Sequence, residues 1–456
     1  MLKLPPVVAL WLTLGFIFYL FRREARQKTN VSKALWIPLI WLLITGSRAV
    51  SQWLAGGSVT IELSQDGGSP LDAAVFLTLI VAGCIVLQRR GVNLSTFVQN
   101  NRWLTAFLVY ALISIAWSDF PFIASKRWIK VLGHPIMALV VLTELEPVEA
   151  VKKLLKRIAY VHIPLSICFI KYFPLYSRSY DEWSGQAFDA GVATGKNQLG
   201  CLCMILGMFF FWNTLQALKI KNRKARRNEL ILSVGFFALN WWVLSQAQSS
   251  TSLITMLLGM ALLWLVDLPF VEKRYVGWYL ATAVLLFAIL EPFFGFYENI
   301  VQALGRNLTL TGRTDLWDAV LKLQDNPIFG VGFESFWLGE RLALLWKQFN
   351  FCPIQAHNGY IEIYLNLGLI GIALVIGQFF GTFQKIQRDL VRRFEFGRLR
   401  LAFLVAIIVY NYTEAAFVTT SFLWTMFVLI AADYPSARAL VRRPIQKLQE
   451  RKLVPV

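Results

Sequence analysis

The chain has 456 residues, 57% of them hydrophobic, with 45 Lys and Arg against 27 Asp and Glu and a mean hydropathy of +0.54. Ordinary globular domains are roughly 45 to 50% apolar, so a soluble multidomain enzyme is excluded and a polytopic membrane protein is expected. At about 20 apolar residues per crossing, this composition caps the count near 13 spans. The surplus of 18 positive charges could point to nucleic acid, but the basic residues sit in short clusters between apolar runs. That is the signature of membrane topology, so the expected partner is the lipid bilayer and no nucleic acid.

In chain order, the segment up to Phe21 has an apolar run too long for the central region of a signal peptide. No small-residue cleavage site follows it, only Arg22 and Arg23, so it reads as a retained first span. Thirteen apolar runs bounded by charge, Gly or Pro follow one another at roughly 5–21, 34–47, 71–88, 103–118, 128–144, 157–173, 197–217, 229–246, 251–268, 275–294, 360–382, 400–416 and 418–433. The second is only about 14 residues, short for a perpendicular crossing. The expected fold is therefore all-α, a bundle of about 12 to 13 transmembrane helices. Three parts are expected: N-terminal spans over 1–110, a core over 111–433, and a basic tail over 434–456. Five cysteines, Cys84, Cys168, Cys201, Cys203 and Cys352, lack ligand-like spacing and read as core packers.

Orientation follows from the basic loops. Lys219 to Arg227, Lys385 to Arg400 and Arg438 to Lys452 should be cytoplasmic. Alternate crossings then put 22–33, 89–102 and 152–157 inside. They put 48–70, 119–127, 174–196, 246–250 and 295–359 outside. With 13 spans the N-terminus lies outside; with 12 both termini lie inside. Chemistry should sit on the outer face, where the longest loops meet.

The stretch 295–359 carries Gly305, Arg306 and then Thr311-Gly312-Arg313-Thr314-Asp315-Leu316-Trp317, a turn feeding a helix with Thr314 as N-cap. Leu316, Trp317, Val320 and Leu323 share one face, and the helix should stop at Asn326-Pro327. Arg313 then lies beside a helix N-terminus, where a guanidinium and free amides can bind an anion; the plainer reading pairs it with a lipid phosphate or a loop acid. Gly330-Val331-Gly332-Phe333 is a tight turn and no dinucleotide fingerprint.

Ala356-His357-Asn358-Gly359-Tyr360 closes the loop at the mouth of the next span, and Glu362 follows inside that span. His357 could take a proton from a hydroxyl, or be structural. His134 and His162 lie in apolar runs. Glu362 should have a role, because acids within spans are costly.

A second cluster, Asp189 to Gln198, contains Gly195-Lys196 but lacks the spacing of a phosphate loop. Lys196 opens a helix at the outer edge and suits a phosphate, or it snorkels. Gln246 to Thr251 and Asn411 to Glu414 add polar groups at outer ends. Trp117-Ser118-Asp119 precedes Lys126, Arg127 and Lys130, an outward basic patch that breaks the charge rule and would suit an anionic ligand. No metal-ligand cluster is legible, so no cofactor or metal is expected and cations would have to neutralise a diphosphate.

These pieces together resemble the O-antigen ligase and polymerase family of bacterial envelope polysaccharide assembly, including its exopolysaccharide-polymerase-like branch. The matching motifs are Trp117-Ser118 with Arg127 and Lys130, Gly195 to Gly200, Ser249 to Leu253, Thr311 to Trp317 continuing to Gly332, and Ala356 to Gly368. The resemblance runs from about 110 to 420. It implies a bacterial inner-membrane enzyme that works without metal on the periplasmic face. Its donor would be an undecaprenyl-diphosphate-linked glycan, and its acceptor a glycan or lipid-linked sugar, with polysaccharide-assembly partners as a further implication. Position by position, the resemblance makes Lys196 and Arg313 the donor-diphosphate pair and His357 the residue at the acceptor hydroxyl; Arg127, Lys130, Asn358 and Glu414 would line the substrate site. Many relatives have a basic residue where this chain has Ser250, which weakens anion binding at that turn. A flippase or other polytopic transporter is the alternative, although paired interrupted helices are not legible, and a scaffold is the third.

Overall fold

The computed structural model describes residues 4–27, 30–55, 68–180, 185, 187–295, 313–417 and 420–435. The Gly305-Arg306 and Thr311-Gly312 motifs, most of the expected 48–70 stretch and nearly all of the basic tail lie outside the described residues.

The helices are α1 (Pro6–Ala25), α2 (Trp36–Thr45), α3 (Val50–Leu54), α4 (Pro70–Arg89), α5 (Leu94–Asn100), α6 (Arg102–Ile113), α7 (Pro121–Val131), α8 (Gly133–Leu142), α9 (Pro147–Tyr172) and α10 (Pro174–Ser177). After a small hairpin come α11 (Lys196–Leu218), α12 (Arg223–Ala247), α13 (Ser250–Leu265), α14 (Val276–Phe294), α15 (Arg313–Lys322), α16 (Gly339–Gln348), α17 (Gly359–Arg392), α18 (Phe394–Thr413) and α19 (Phe422–Ala431). Local chemistry sets many starts. Proline occupies the first turn of α1, α4, α7 and α9, where its missing N–H costs nothing. The side chains of Asn222, Asn358 and Ser421 cap α12, α17 and α19. The hairpin, β1 (Arg178–Tyr180) against β2 (Ala187–Asp189), pairs antiparallel with Ser179 opposite Phe188; periodicity alone did not reveal it.

Each of the thirteen apolar runs falls on a helix. Among the described residues, six helices are long and apolar enough to cross a membrane: α1, α4, α11, α12, α14 with its preceding turn, and α17. A seventh arises if the α7–α8 unit and α9, bent by 119° at their junction, make one span. The helices of α2, α6, α13 and α19 are shorter; a 10-residue helix is about 15 Å long, half the hydrocarbon thickness. Part of their apolar surface packs inside the bundle, as buried Leu39, Trp41, Leu108, Met256 and Phe427 do, and α19 is buried almost throughout. The chain is a multi-pass membrane protein.

Burial separates centre from rim. Of the span of α11, 72% is buried, with Phe209, Phe210 and Trp212 packed against α12, α13 and α18. The corresponding figures are 11% for α1 and 6% for α14, whose Trp11, Phe18, Trp278 and Phe293 face outward. Only a hydrocarbon solvent makes such faces stable. Of the cysteines, Cys168, Cys201 and Cys203 are core packers as expected; Cys84 is instead exposed on α4 and Cys352 half-buried.

Contacts sort the loops into two ends. Arg23 reaches Asn228, Arg157 pairs with Glu24, Lys219 pairs with Glu395 at 2.7 Å, and Lys385 holds Asn101 at 2.8 Å. These are the loops expected to share the inner side. At the opposite end Asn197 meets Glu414, Arg341 meets Asp119 and Arg127 meets Glu334, joining the loops expected to share the outer side.

At this second end α17 is broken. Gly368 has φ 62° and ψ −162°, and a Cβ there would lie 2.2 Å from the carbonyl oxygen of Ile328. The segment Pro327–Gly332 lies against the break. Leu369 N donates to Pro327 O, Val331 N to Leu365 O and Gly332 N to Asn366 O, at 2.9 to 3.1 Å. Gly330, at φ 72°, would clash with Asn366 in the same way. The Gly-Val-Gly turn thus exists so that two backbones can touch.

Candidate functional site

Four segments converge where α18 ends. Glu414 lies just past Thr413 and is 5% exposed. Its Oε1 accepts from Arg313 Nη2 at 2.8 Å and from Asn197 Nδ2 at 2.6 Å; its Oε2 lies 3.4 Å from His357 Nδ1. Arg313 also donates to the carbonyl of Thr413, and its Nε has no partner among the described residues. Burial alone would raise the Glu414 carboxyl, but the charge of Arg313 and the contact with His357 outweigh it and hold the group below its ordinary range. A buried carboxylate is thereby kept ionised beside a guanidinium and an imidazole that both remain partly open, 12% and 21% exposed at the side chain.

The local sequence explains each approach. Arg313 is the first described residue of α15, whose Leu316 and Val320 are fully buried beside Phe336 and Leu365. Thr314 therefore lies within the helix and does not cap it, and the helix ends at Lys322, short of the expected Asn326 stop. There Gln324 ends the run by bonding the carbonyls of Tyr364 and Leu365. Arg313 is not poised over free amides either, since its guanidinium is spent on Thr413 and Glu414. His357 has φ 50°, an uncommon conformation for a non-glycine residue. Asn358 caps α17 through Tyr360 N and Ile361 N, which directs its carboxamide to the backbone.

Lys196 opens α11, and its amine lies 5.7 Å from the ring centroid of Phe188 on β2. It adjoins Asn197, which the sequence reading passed over as a site residue. Asn197 joins Glu414 to Tyr410 OH, which donates to its carbonyl at 2.8 Å, and to Ser249 Oγ at 3.3 Å. Thr413 in turn meets Thr251 at 3.0 Å, so the polar turn before α13 joins this cluster through hydroxyls. Arg127 and Lys130 stand apart: Arg127 bonds the carbonyl of Glu334, and Lys130 is half-buried on α7. His134 and His162 are buried against Thr425 and the Leu43 carbonyl. The signal for Asn197 was its place beside Lys196 in Gly-Lys-Asn-Gln. Its link to Glu414, 217 residues away, needs the fold.

Two comparisons bear on this arrangement. A family model described as O-antigen ligase matches residues 234–376, a stretch that holds Arg313 and His357 but neither Lys196 nor Glu414. The "Exopolysaccharide production protein ExoQ" of Rhizobium meliloti (strain 1021) is 27% identical over 305 residues, 62% of this chain and 66% of that protein. The chain thus spans just under two thirds of that relative's length. Both agree with the resemblance to an O-antigen ligase- and polymerase-like family of membrane proteins.

Proposed function

We propose that the protein is a glycosyltransferase that moves a glycan from an undecaprenyl diphosphate carrier to a sugar hydroxyl at the periplasmic face of the bacterial inner membrane. The observation that carries this reading is the buried Glu414 carboxylate joined to both Arg313 and His357. A carboxylate on Nδ1 leaves Nε2 of His357 to accept a proton from the acceptor hydroxyl. The acceptor oxygen attacks the anomeric carbon, the bond to the diphosphate breaks, and its electron pair leaves with the phosphate. Arg313 and Lys196 stabilise the charge that develops there. A well-placed donor of this kind contributes roughly 3 kcal/mol to the transition state, and a base about 100-fold. No nucleotide is required, because the donor is already activated.

In this reading Glu414 has two tasks. It orients His357, and it holds the Arg313 guanidinium in place until the diphosphate arrives. Asn197 keeps Glu414 in register with α11. Arg127, Lys130 and Asn358 take lesser parts, since their contacts lead elsewhere. The name of the Rhizobium relative concerns exopolysaccharide production, which favours polymerisation over ligation to a lipid acceptor.

The test is transfer by purified protein in nanodiscs supplied with a lipid-linked oligosaccharide. New glycosidic bonds, lost on Arg313→Ala and His357→Ala, support the proposal. Counterflow of donor without bond formation, or full transfer by both variants, overturns it. Glycan from a deletion strain separates the two reactions: shortened chains mean a polymerase, intact unattached chains a ligase.

A further inference from the structure

We propose that Glu362 is a positioning residue for His357, acting through Ala356; this rests on the reading that His357 serves the acceptor hydroxyl. Glu362 lies in the first turn of α17 and is 2% exposed. Its Oε1 accepts from Ala356 N and from Trp337 Nε1 at 3.0 Å, and its Oε2 from the same indole at 2.9 Å. No Lys, Arg or His pairs with it among the described residues. Burying an acid without a counter-ion is costly, and what the position gains for that cost is two oxygens that both accept from N–H groups. A glutamine would turn an NH2 toward one of two donors.

The neighbours of His357 are held on each side. Ala356 is fixed at its N–H by Glu362 and at its carbonyl by Trp317 Nε1, 2.7 Å away. Asn358 is fixed by its cap bonds, and its carbonyl accepts from Glu362 N at 3.0 Å. Between these pins His357 is held at φ 50°, a conformation that a histidine keeps only where its surroundings impose it. Further back, Trp346 Nε1 bonds Pro353 O at 3.0 Å, so the whole approach to His357 hangs on indole N–H groups. Among the described residues, Glu362 alone ties that strap to the spanning helix by a side-chain acceptor on the amide next to the histidine. Removing it frees the 356–357 peptide to leave the left-handed region and carries the imidazole away from Glu414.

The full chain in nanodiscs tests this with Glu362→Gln, Trp337→Phe and each combined with His357→Ala. Glu362→Gln should lower kcat by about 10- to 100-fold with the KM for donor unchanged, and should add no loss in the His357→Ala background. Trp337→Phe should follow it with a smaller loss, and it carries the same test if the glutamine variant fails to fold. A second readout needs no transfer: diethyl pyrocarbonate labelling of His357, the other two histidines being buried. Its rate should change by about threefold or more in Glu362→Gln at equal thermal stability. Losses that multiply with His357→Ala, or labelling unchanged in both variants, overturn the proposal. An altered labelling rate in a chain that transfers no glycan would retain the positioning role and defeat the function reading instead.

Discussion

The two ends of α18 both bury charge, to opposite effect. At its start Arg398, fully buried, meets Asp267 at 2.9 Å and Glu395 at 2.6 Å, and Arg400 meets Asp389, which Arg393 also holds at 2.7 Å. Carboxylates and guanidiniums alternate there, with Arg398 over the ring of Phe394 and Arg400 over that of Phe396. Sixteen residues past Arg398, about 24 Å along the helix, Glu414 faces Arg313, Asn197 and His357, and the last of these keeps about a fifth of its side chain open. Pairs of guanidiniums and carboxylates fasten helices; a carboxylate shared between a guanidinium and an imidazole adds a group that can exchange a proton with a substrate. The comparison teaches that burial of charge alone does not mark the site, whereas an imidazole able to exchange a proton beside that charge does.

Substitutions should separate the two ends. Arg313→Ala is expected to lower glycan transfer by about 1,000-fold or more while the folded fraction stays near that of the parent, as measured by turnover and thermal scanning. Comparable loss from Arg398→Ala should appear as instability: removing one partner of a buried pair costs about 3 to 5 kcal/mol, so this variant should unfold at a much lower temperature yet keep its turnover per folded molecule. If Arg398→Ala were stable and inactive, the contrast between the ends would be wrong. Gly368→Ala should destabilise by about 1 to 3 kcal/mol, since its φ lies in the left-handed region and the Ile328 carbonyl occupies the space of a Cβ.

Protonation sharpens the comparison further. Glu414 is held below its ordinary value of 4.5 by Arg313 and His357, so it binds protons more readily when the chain is unfolded. Its contribution to stability is complete above about pH 4.5 and is lost as the pH falls through the depressed value. Glu414→Gln should therefore flatten the acid limb of the thermal-stability profile; an unchanged limb would show that the carboxylate is not ion-paired in solution. The smallest effect belongs to Asn197→Ala, about tenfold in kcat, because Arg313 still holds Glu414.

Much of the site was legible in the motifs. Arg313, His357 and Glu414 were all singled out from the chain, and contact among them was a matter of shared loops at one end. Their roles were less legible. Arg313 read as an anion site at a helix start because a turn preceded it, yet its guanidinium is already paired, a fact set by a residue 101 positions away. Surroundings are hidden from the sequence in the same way: hydropathy cannot tell a helix that is apolar because it faces lipid, such as α14, from one that is apolar because it faces protein, such as α19.

What the amino-acid order determined by itself was local or statistical: the helical class, the helix starts at proline and asparagine, the membrane as solvent, and which loops gather at the same end. Those follow from period, capping and charge, which act over a few residues or along one span. Tertiary structure alone decided which apolar helices reach lipid, why Gly330 and Gly368 must be glycine, and that Asn197 and Glu362 support the groups at the mouth of the bundle. Such choices depend on partners more than a hundred residues apart meeting in a low-dielectric interior, where each buried polar group must find its match.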